Sequence, residues 1–343
     1  MIAWRALWPR VSARIFASLC ALLLLAVVTN PEARAQSIDD IHIVPRSNPP
    51  EAEKASADPD VPARPLHVDV NLVLVPVTVT DPMNHPVVSL QKQDFTLYEG
   101  TVQQQIRYFS HEDAPISVGL VLDCSASMKN KIEYERQALE EFFNNANSED
   151  EYFAVTVSDK PQLIATASDS FGTLQDRLAS SPPKGHTALF DAIYLAISKM
   201  RTARYARRAL LIISDGGDNT SRYTRDEIRK VIEESDVLTY AIGIFDDELP
   251  LLKTFEERMG RDWLSELTDA SGGRTLAADN REKIPEIAAI VSRELRNEYV
   301  LGYRPMNLAH DGTWRKMTVK VAQPSESMRL HVHYRQRYRA PTQ

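Results

Sequence analysis

Between Ile116 and Leu295 short apolar runs alternate with amphipathic stretches, and this alternation restricts the fold more than any other feature of the chain. Ser117–Leu122, Tyr152–Val157, Ala209–Ser214 and Leu238–Ile244 are apolar, bounded runs of strand length. Leu189, Ile193, Ile197 and Met200 fall on one helical face, as do Ile228, Val231 and Ile232. Thr224 and Glu227 have the spacing of a capping box at the start of the second helix. Ile284, Ile287, Ala288, Val291 and Leu295 predict a last long helix, and Trp263, Leu264 and Leu267 read as core. Strands and helices in alternation predict an α/β fold: a doubly wound, mostly parallel sheet with helices on both faces.

The flanks carry a different period. Val75, Val77 and Val79 alternate with polar residues, and the change of register near Pro76 suggests an edge strand or a bulge. Phe95–Tyr98 and Gln105–Phe109, separated by Gly100, suggest a hairpin. After Glu298, Tyr299–Tyr303, Arg315–Val321 and Leu330–Tyr334 are strand-like, with Asp311-Gly312 as a turn. Residues 66–115 and 298–337 are therefore expected to form one small β unit, with an α/β domain at 116–297 inserted in it. His331 and His333 alternate on the last strand and are expected to face solvent. Arg335, Arg337 and Arg339 read as a solvated basic edge that discourages strand pairing.

Residues 36–65 are rich in Pro, Ala, Glu and Asp without apolar periodicity, the composition of a disordered linker. Ahead of them, Arg5, Arg10 and Arg14 precede an apolar run at Ile15–Val28 and a small-residue site at Ala33-Arg34-Ala35. This order predicts a secretory signal over 1–35, cleaved near Ala35, and a periplasmic or extracellular protein. The run is shorter than the ~20 residues of a membrane span, so no integral span is expected in the mature chain. Leu19 before Cys20 does not suit a lipoprotein site. Loss of the signal also removes Cys20, leaving Cys124 alone and no internal disulfide. The net charge of −7 becomes more negative, which argues against nucleic acid or an anionic membrane as partner.

Three segments carry the chemistry. Asp123-Cys124-Ser125-Ala126-Ser127 follows one apolar strand, Gly185-His186-Thr187 precedes a helix, and Ser214-Asp215-Gly216-Gly217-Asp218-Asn219 follows another strand. Loops at the carboxyl ends of parallel strands gather along one crevice, so Asp123, Ser125, Ser127, Thr187 and Asp215 could meet. Hydroxyl and carboxylate oxygens are hard ligands suited to Mg2+ or Mn2+, and no cluster of imidazoles or thiolates accompanies them to favour zinc. Two aspartates only just balance such an ion, so a carboxylate from outside would be attracted to it.

The Asp-x-Ser-x-Ser run, the separated Thr and the separated Asp-Gly resemble the metal-ion-dependent adhesion site of von Willebrand factor type A domains, over residues 116 to 297. The resemblance implies Ser125 and Ser127 as direct ligands of Mg2+ or Mn2+, with Thr187, Asp123 and Asp215 binding directly or through water. It implies a protein partner whose Asp or Glu completes the coordination. The mature chain also resembles a group of related domains seen in acidobacteria, with Asp94-Phe95-Thr96-Leu97-Tyr98-Glu99 as a lead and Tyr299-Val300-Leu301-Gly302-Tyr303 as a close. Ala126 stands where the common pattern has Gly, and a Cβ there disfavours positive φ and would re-aim the loop.

The sequence reads as an adhesion-type binding module rather than an enzyme. There is neither a nucleophile elbow nor a phosphate-binding glycine loop. Two alternatives stand beside it. One is a metal-assisted hydrolase using Asp218 as general base. The other is a metal-independent part of the cell envelope. Asp191, one turn into its helix, reads as a helix-start charge rather than a ligand. Cys124 reads as a packed small residue.

Overall fold

The computed structural model describes residues 72–342, apart from 112, 246–254, 279 and 323–328. The expected signal (1–35), the linker (36–65) and the strand-like start of the β unit up to Asn71 lie outside the described residues.

Six strands form the central sheet in the order β10-β9-β8-β5-β6-β7. They are β5 (Ser117–Asp123), β6 (Glu151–Val157), β7 (Gln162–Ala165), β8 (Arg208–Ser214), β9 (Leu238–Ile244) and β10 (Thr275–Ala278). All neighbours are parallel except the edge pair β6 and β7. Helices α1 (Ile132–Asn144), α2 (Phe171–Ala179) and α6 (Ile284–Arg296) cover one face. There Val118, Leu120, Leu122 and Leu211 meet Leu139, Phe142, Leu174, Ala288 and Val291. Helices α3 (Leu189–Met200), α4 (Arg225–Ser235) and α5 (Phe255–Ser271) cover the other, where Val121, Leu210 and Ile212 meet Ile193, Ile197, Ile228 and Leu264. Strand residues alternate between the two cores because side chains alternate along a strand, and both faces are covered, so both parities are apolar. The result is the doubly wound α/β sheet that the alternation predicts. The capping box at α4 forms, with Thr224 and Glu227 exchanging hydrogen bonds.

The flanking strands pair with one another. β1 (Val73–Thr80) lies between β11 (Tyr299–Tyr303) and β13 (His331–Tyr334), with β4 (Ile106–Ser110) beyond β11. A second antiparallel sheet runs β14-β12-β2-β3, from Arg337–Arg339, Trp314–Val321, Phe95–Glu99 and Val102–Gln104. Val75, Val77, Val79, Leu97, Leu301, Met317 and Val319 fill the space between these sheets. The closing Tyr-x-x-x-Tyr segment latches this core. Tyr299 Oη donates to Val87 O and accepts from Leu90 N, while Tyr303 and Tyr338 both reach Glu99. Gly302 between them is needed because a Cβ would stand 2.8 Å from Tyr108 Cβ.

Three expectations for the flanks need correction. β1 is an interior strand in one continuous register, without a bulge at Pro76; β13 begins pairing only at Val77, so Pro76 needs no N–H on that side. The hairpin partner of β2 is the short β3, and β4 crosses to the other sheet. The basic residues near the end do lie at a sheet edge, with β14 outermost and Arg339 exposed, but they are also paired. Arg335, Arg337 and Arg339 pair with Asp236, Glu233 and Glu234 at the end of α4, tying the β strands to the α/β unit. His333 is turned partly inward, and burial lowers its imidazole to about 4. Further ties are Thr78 Oγ1 to Tyr240 Oη at 3.3 Å, and Arg274, which bonds both Glu294 and Asn84.

Arg207 closes the junction between the two parts, donating to Ala114 O and Leu295 O and lying 3.4 Å from Glu298. Burial pushes the Glu298 carboxyl up to about 7, although the Arg207 charge pulls it down. A carboxyl whose folded pKa lies above its unfolded value near 4.5 favours folding most at low pH. That contribution is lost as pH rises through the window from 4.5 to about 7. Urea unfolding of Glu298→Gln at pH 5 and pH 8 should therefore show a shallower fall in stability than the parent chain, by roughly 2–3 kcal/mol. An unchanged pH dependence would contradict this burial argument.

Candidate metal centre

The chain runs from β5 outward to β6 and β7, then returns to β8 on the other side of β5. The strand order therefore reverses between β5 and β8, and at such switch points the loops splay apart and leave a crevice. Asp123 ends β5, Ser214 ends β8, and Asp215 follows it. The parallel register sets Leu122 beside Ile213, so the next residues, Asp123 and Ser214, are neighbours. Ser214 Oγ donates to Asp123 Oδ2 at 2.5 Å, and Ser125 N donates to Asp123 Oδ1 at 3.0 Å.

Beyond Asp123 the chain makes a short 3-10 turn at Ala126–Met128, led by Ser125 in extended conformation. This turn places Ser125 Oγ 3.0 Å from Ser127 Oγ. Ala126 N donates to Gly185 O, and Lys184 N to Cys124 O, so the serine turn is bonded to the segment that carries Thr187. Thr187 in turn exchanges backbone and side-chain hydrogen bonds with Asn219. All three segments named from the sequence thus come together. Asp123, Ser125, Thr187 and Asp215 are buried and Ser127 is half-buried. Ala126 is not among the positive-φ residues, so its Cβ meets no left-handed strain in this turn. Cys124 is buried and free, and burial pushes its thiol up, which suits a packed residue and not a nucleophile.

Three neighbours of this site were not legible as such in the sequence. Ser214 is one. Lys131, which leads α1, is 3 % exposed and places Nζ 2.9 Å from Asp215 Oδ2. Glu135, one turn later, is fully buried and accepts the Asp123 N–H through Oε1, while Oε2 has no partner. The available signal was a charge on the apolar face of α1, four and seven residues from Leu139 and Phe142.

Burial raises the Asp123 carboxyl well above the usual carboxylate range, and the charge of Asp215 raises it further. Hydrogen bonds from Ser125 and Ser214 offset only part of this. Burial and Asp123 likewise push Glu135 toward its protonated form. Among the described residues no three carboxylate, imidazole or thiolate groups gather to hold a metal. The site offers two carboxylates and neutral hydroxyls instead. Two buried, mutually repelling carboxylates beside hydroxyl oxygens are hard oxygen donors of the kind Mg2+ and Mn2+ take.

Two acidic residues nearby are engaged elsewhere. Asp191 accepts from Arg222 N and Nε and from Tyr223 N, pinning the loop after β8 to α3. Asp218 accepts from Phe190 N at the start of α3 and from Ser221 N and Oγ.

Residues 118–217 match the von Willebrand factor type A domain, a stretch that contains all five oxygen-bearing residues named above. An uncharacterized protein of Borreliella burgdorferi is 22% identical over 147 residues, which is 40% of this chain and 43% of that relative. The match therefore spans less than half of the curated relative. Among solved structures, the von Willebrand factor type A protein from Catenulispora acidiphila is 12% identical over 73% of this chain and 74% of its own, with a TM-score of 0.44. BatB from Bacteroides thetaiotaomicron is 18% identical over 52% and 98%, with a TM-score of 0.41. The pilus adhesin SpaC from Lactobacillus rhamnosus GG, in an open conformation, is 9% identical over 72% and 48%, with a TM-score of 0.44.

The Asp215 loop is held by contact with α5. A Cβ on Gly260 would stand 2.2 Å from Asp215 O, and one on Gly216, at φ +78°, would stand 2.4 Å from Gly260 O. Backbone on both sides leaves nothing flexible to move aside. Gly260→Ala should therefore lower stability by about 1–3 kcal/mol in denaturant unfolding. It should also shift the amide resonances of residues 214–217. A variant of parental stability with unshifted resonances would show that the loop is not set by this contact.

Proposed function

We propose that this chain is an exported, protein-binding module that holds Mg2+ or Mn2+ at the carboxyl ends of β5 and β8. In this reading Ser125 and Ser127 bind the ion directly. Thr187, Asp123 and Asp215 bind directly or through water, and an Asp or Glu carboxylate of a partner protein completes the site. The ion would supply the positive charge that links the two proteins. The observation that carries the reading is the buried Asp123–Asp215 pair beside paired serine hydroxyls at the switch point of the sheet. Export rests on the amino-terminal sequence alone.

Binding is favoured over metal-assisted hydrolysis by the state of Asp218. Its carboxylate is already held by three hydrogen bonds at the start of α3, which leaves the hydrolase reading without its proposed base.

Mn2+ titration calorimetry on the chain should show one saturable site that is lost in Asp123→Ala and weakened at least about tenfold in Ser125→Ala, with both variants folded by circular dichroism. Pull-downs of a partner should then depend on the same residues and fail in chelator. Partner binding that persists in both variants and in chelator would overturn the metal-dependent reading and favour a metal-independent scaffold.

A further inference from the structure

Helix α3 begins without a cap of its own. Its N-cap residue is Ala188, whose side chain accepts nothing, so the first N–H groups of the helix need acceptors from elsewhere. The loop after β8 supplies them. Asp218 Oδ2 accepts from Phe190 N at 3.1 Å, and Ser221 Oγ accepts from Asp191 N at 3.1 Å. Asn219, between these two, reaches the residue just outside the helix. Its Oδ1 accepts from Thr187 N at 3.0 Å, and its own N–H donates to Thr187 O at 3.0 Å.

Asn219 thus grips Thr187 by both ends of its backbone, and neither bond consumes the Thr187 hydroxyl. Residues 181–188 form neither helix nor strand, and Gly185 turns among them at φ +75°, so their placement depends on such outside bonds. Asp159 Oδ1 holds His186 N at 2.6 Å, and Ser158 O holds Ala188 N. Those bonds fix the two neighbours of Thr187, whereas the amide of Thr187 itself is fixed by Asn219. The same loop carries Asp215, whose Oδ1 accepts from Gly217 N. Four residues separate Asp215 from Asn219, and a shift of Thr187 relative to Asp215 requires the Asn219 bonds to break.

From this geometry we infer that Asn219 is a positioning residue for Thr187. Its side-chain acceptor keeps the hydroxyl-bearing residue in register with Asp215, and so sets the affinity of the site for a divalent ion. The inference rests on the metal-binding reading above and adds to it a residue that binds no metal itself. Loss of a group that orients a metal ligand typically costs about 10–100-fold in metal affinity. One neutral hydrogen bond to an exposed side chain belongs at the lower end of that range.

The test compares the chain with Asn219→Leu, close to Asn in size but without the acceptor, and with Asn219→Asp, which keeps it. Asn219→Ala repeats the loss with a smaller side chain. Amide hydrogen exchange on the metal-free proteins reads the Thr187 N–H, and Mn2+ titration calorimetry reads the site. Asn219→Leu and Asn219→Ala should speed exchange at Thr187 roughly tenfold, leave Gly217 protected and weaken Mn2+ roughly tenfold. Their thermal melting should stay near that of the parent, because Asn219 is exposed. Asn219→Asp should keep Thr187 protected and bind Mn2+ at least as tightly as the parent. Parental Mn2+ affinity in Asn219→Leu and Asn219→Ala would overturn the inference while leaving the metal site intact. Weakened binding with Thr187 still protected, in any of the three variants, would also overturn it. So would loss of protection at Gly217 together with Thr187, since the effect would then run through the whole loop. Absence of Mn2+ binding in the parent chain would overturn both the inference and the reading beneath it.

Discussion

Asp123 and Asp215 are buried within electrostatic reach of each other, where water does little to screen their repulsion. Without partners such a pair would raise the energy of the folded chain, and much of the surrounding structure supplies partners. Ser214 and the Ser125 amide hold Asp123; Lys131 and the Gly217 amide hold Asp215. Each of these groups depends on the sheet. Only because β5 and β8 are adjacent and parallel do the ends of two distant strands meet, and only because α5 presents Gly260 can the Asp215 loop lie flat against it. Under the metal-binding proposal, a bound cation would relieve the repulsion that remains after these bonds.

The β sandwich leaves that arrangement free. Chain entry to the α/β unit at Ala114 and exit at Glu298 are both gathered by Arg207, just before the start of β8. The ion pairs of Arg335, Arg337 and Arg339 likewise end on residues 233–236, just before β9. The candidate oxygens lie at the other ends of the same strands. A seven-residue strand is roughly 20 Å long, so the ties and the site are separated by the length of the sheet.

Much of this was readable from periodicity. The four central strands fall within one residue of their expected bounds, because a strand covered on both faces must be apolar throughout. The antiparallel edge strand β7, by contrast, is four residues with two exposed ones, too short and too polar to stand out. The flanks were harder, since pairing between strands two hundred residues apart leaves no local trace. Gln104 and Ile106 look like one run until the chain leaves β3 for the other sheet at Gln105. The five oxygen-bearing residues were legible because each follows or precedes a clear element. Lys131 and Glu135 were not, because a charge at the start of a helix ordinarily faces solvent, and the place of Glu135 on the apolar face is only a weak sign against that.

The alanine at position 126 separates backbone from charge as determinants of the site. A glycine at this point suggests a loop that needs left-handed backbone, yet the serine turn here is a 3-10 turn with its first amide bonded to Gly185 O. The Cβ of Ala126 is exposed and obstructs nothing in the turn's own hydrogen bonds. The serine hydroxyls are therefore aimed by the turn and by the neighbouring loop. A lysine eight residues beyond the first aspartate adds its buried ammonium to Asp215, in a position that no oxygen-ligand pattern includes.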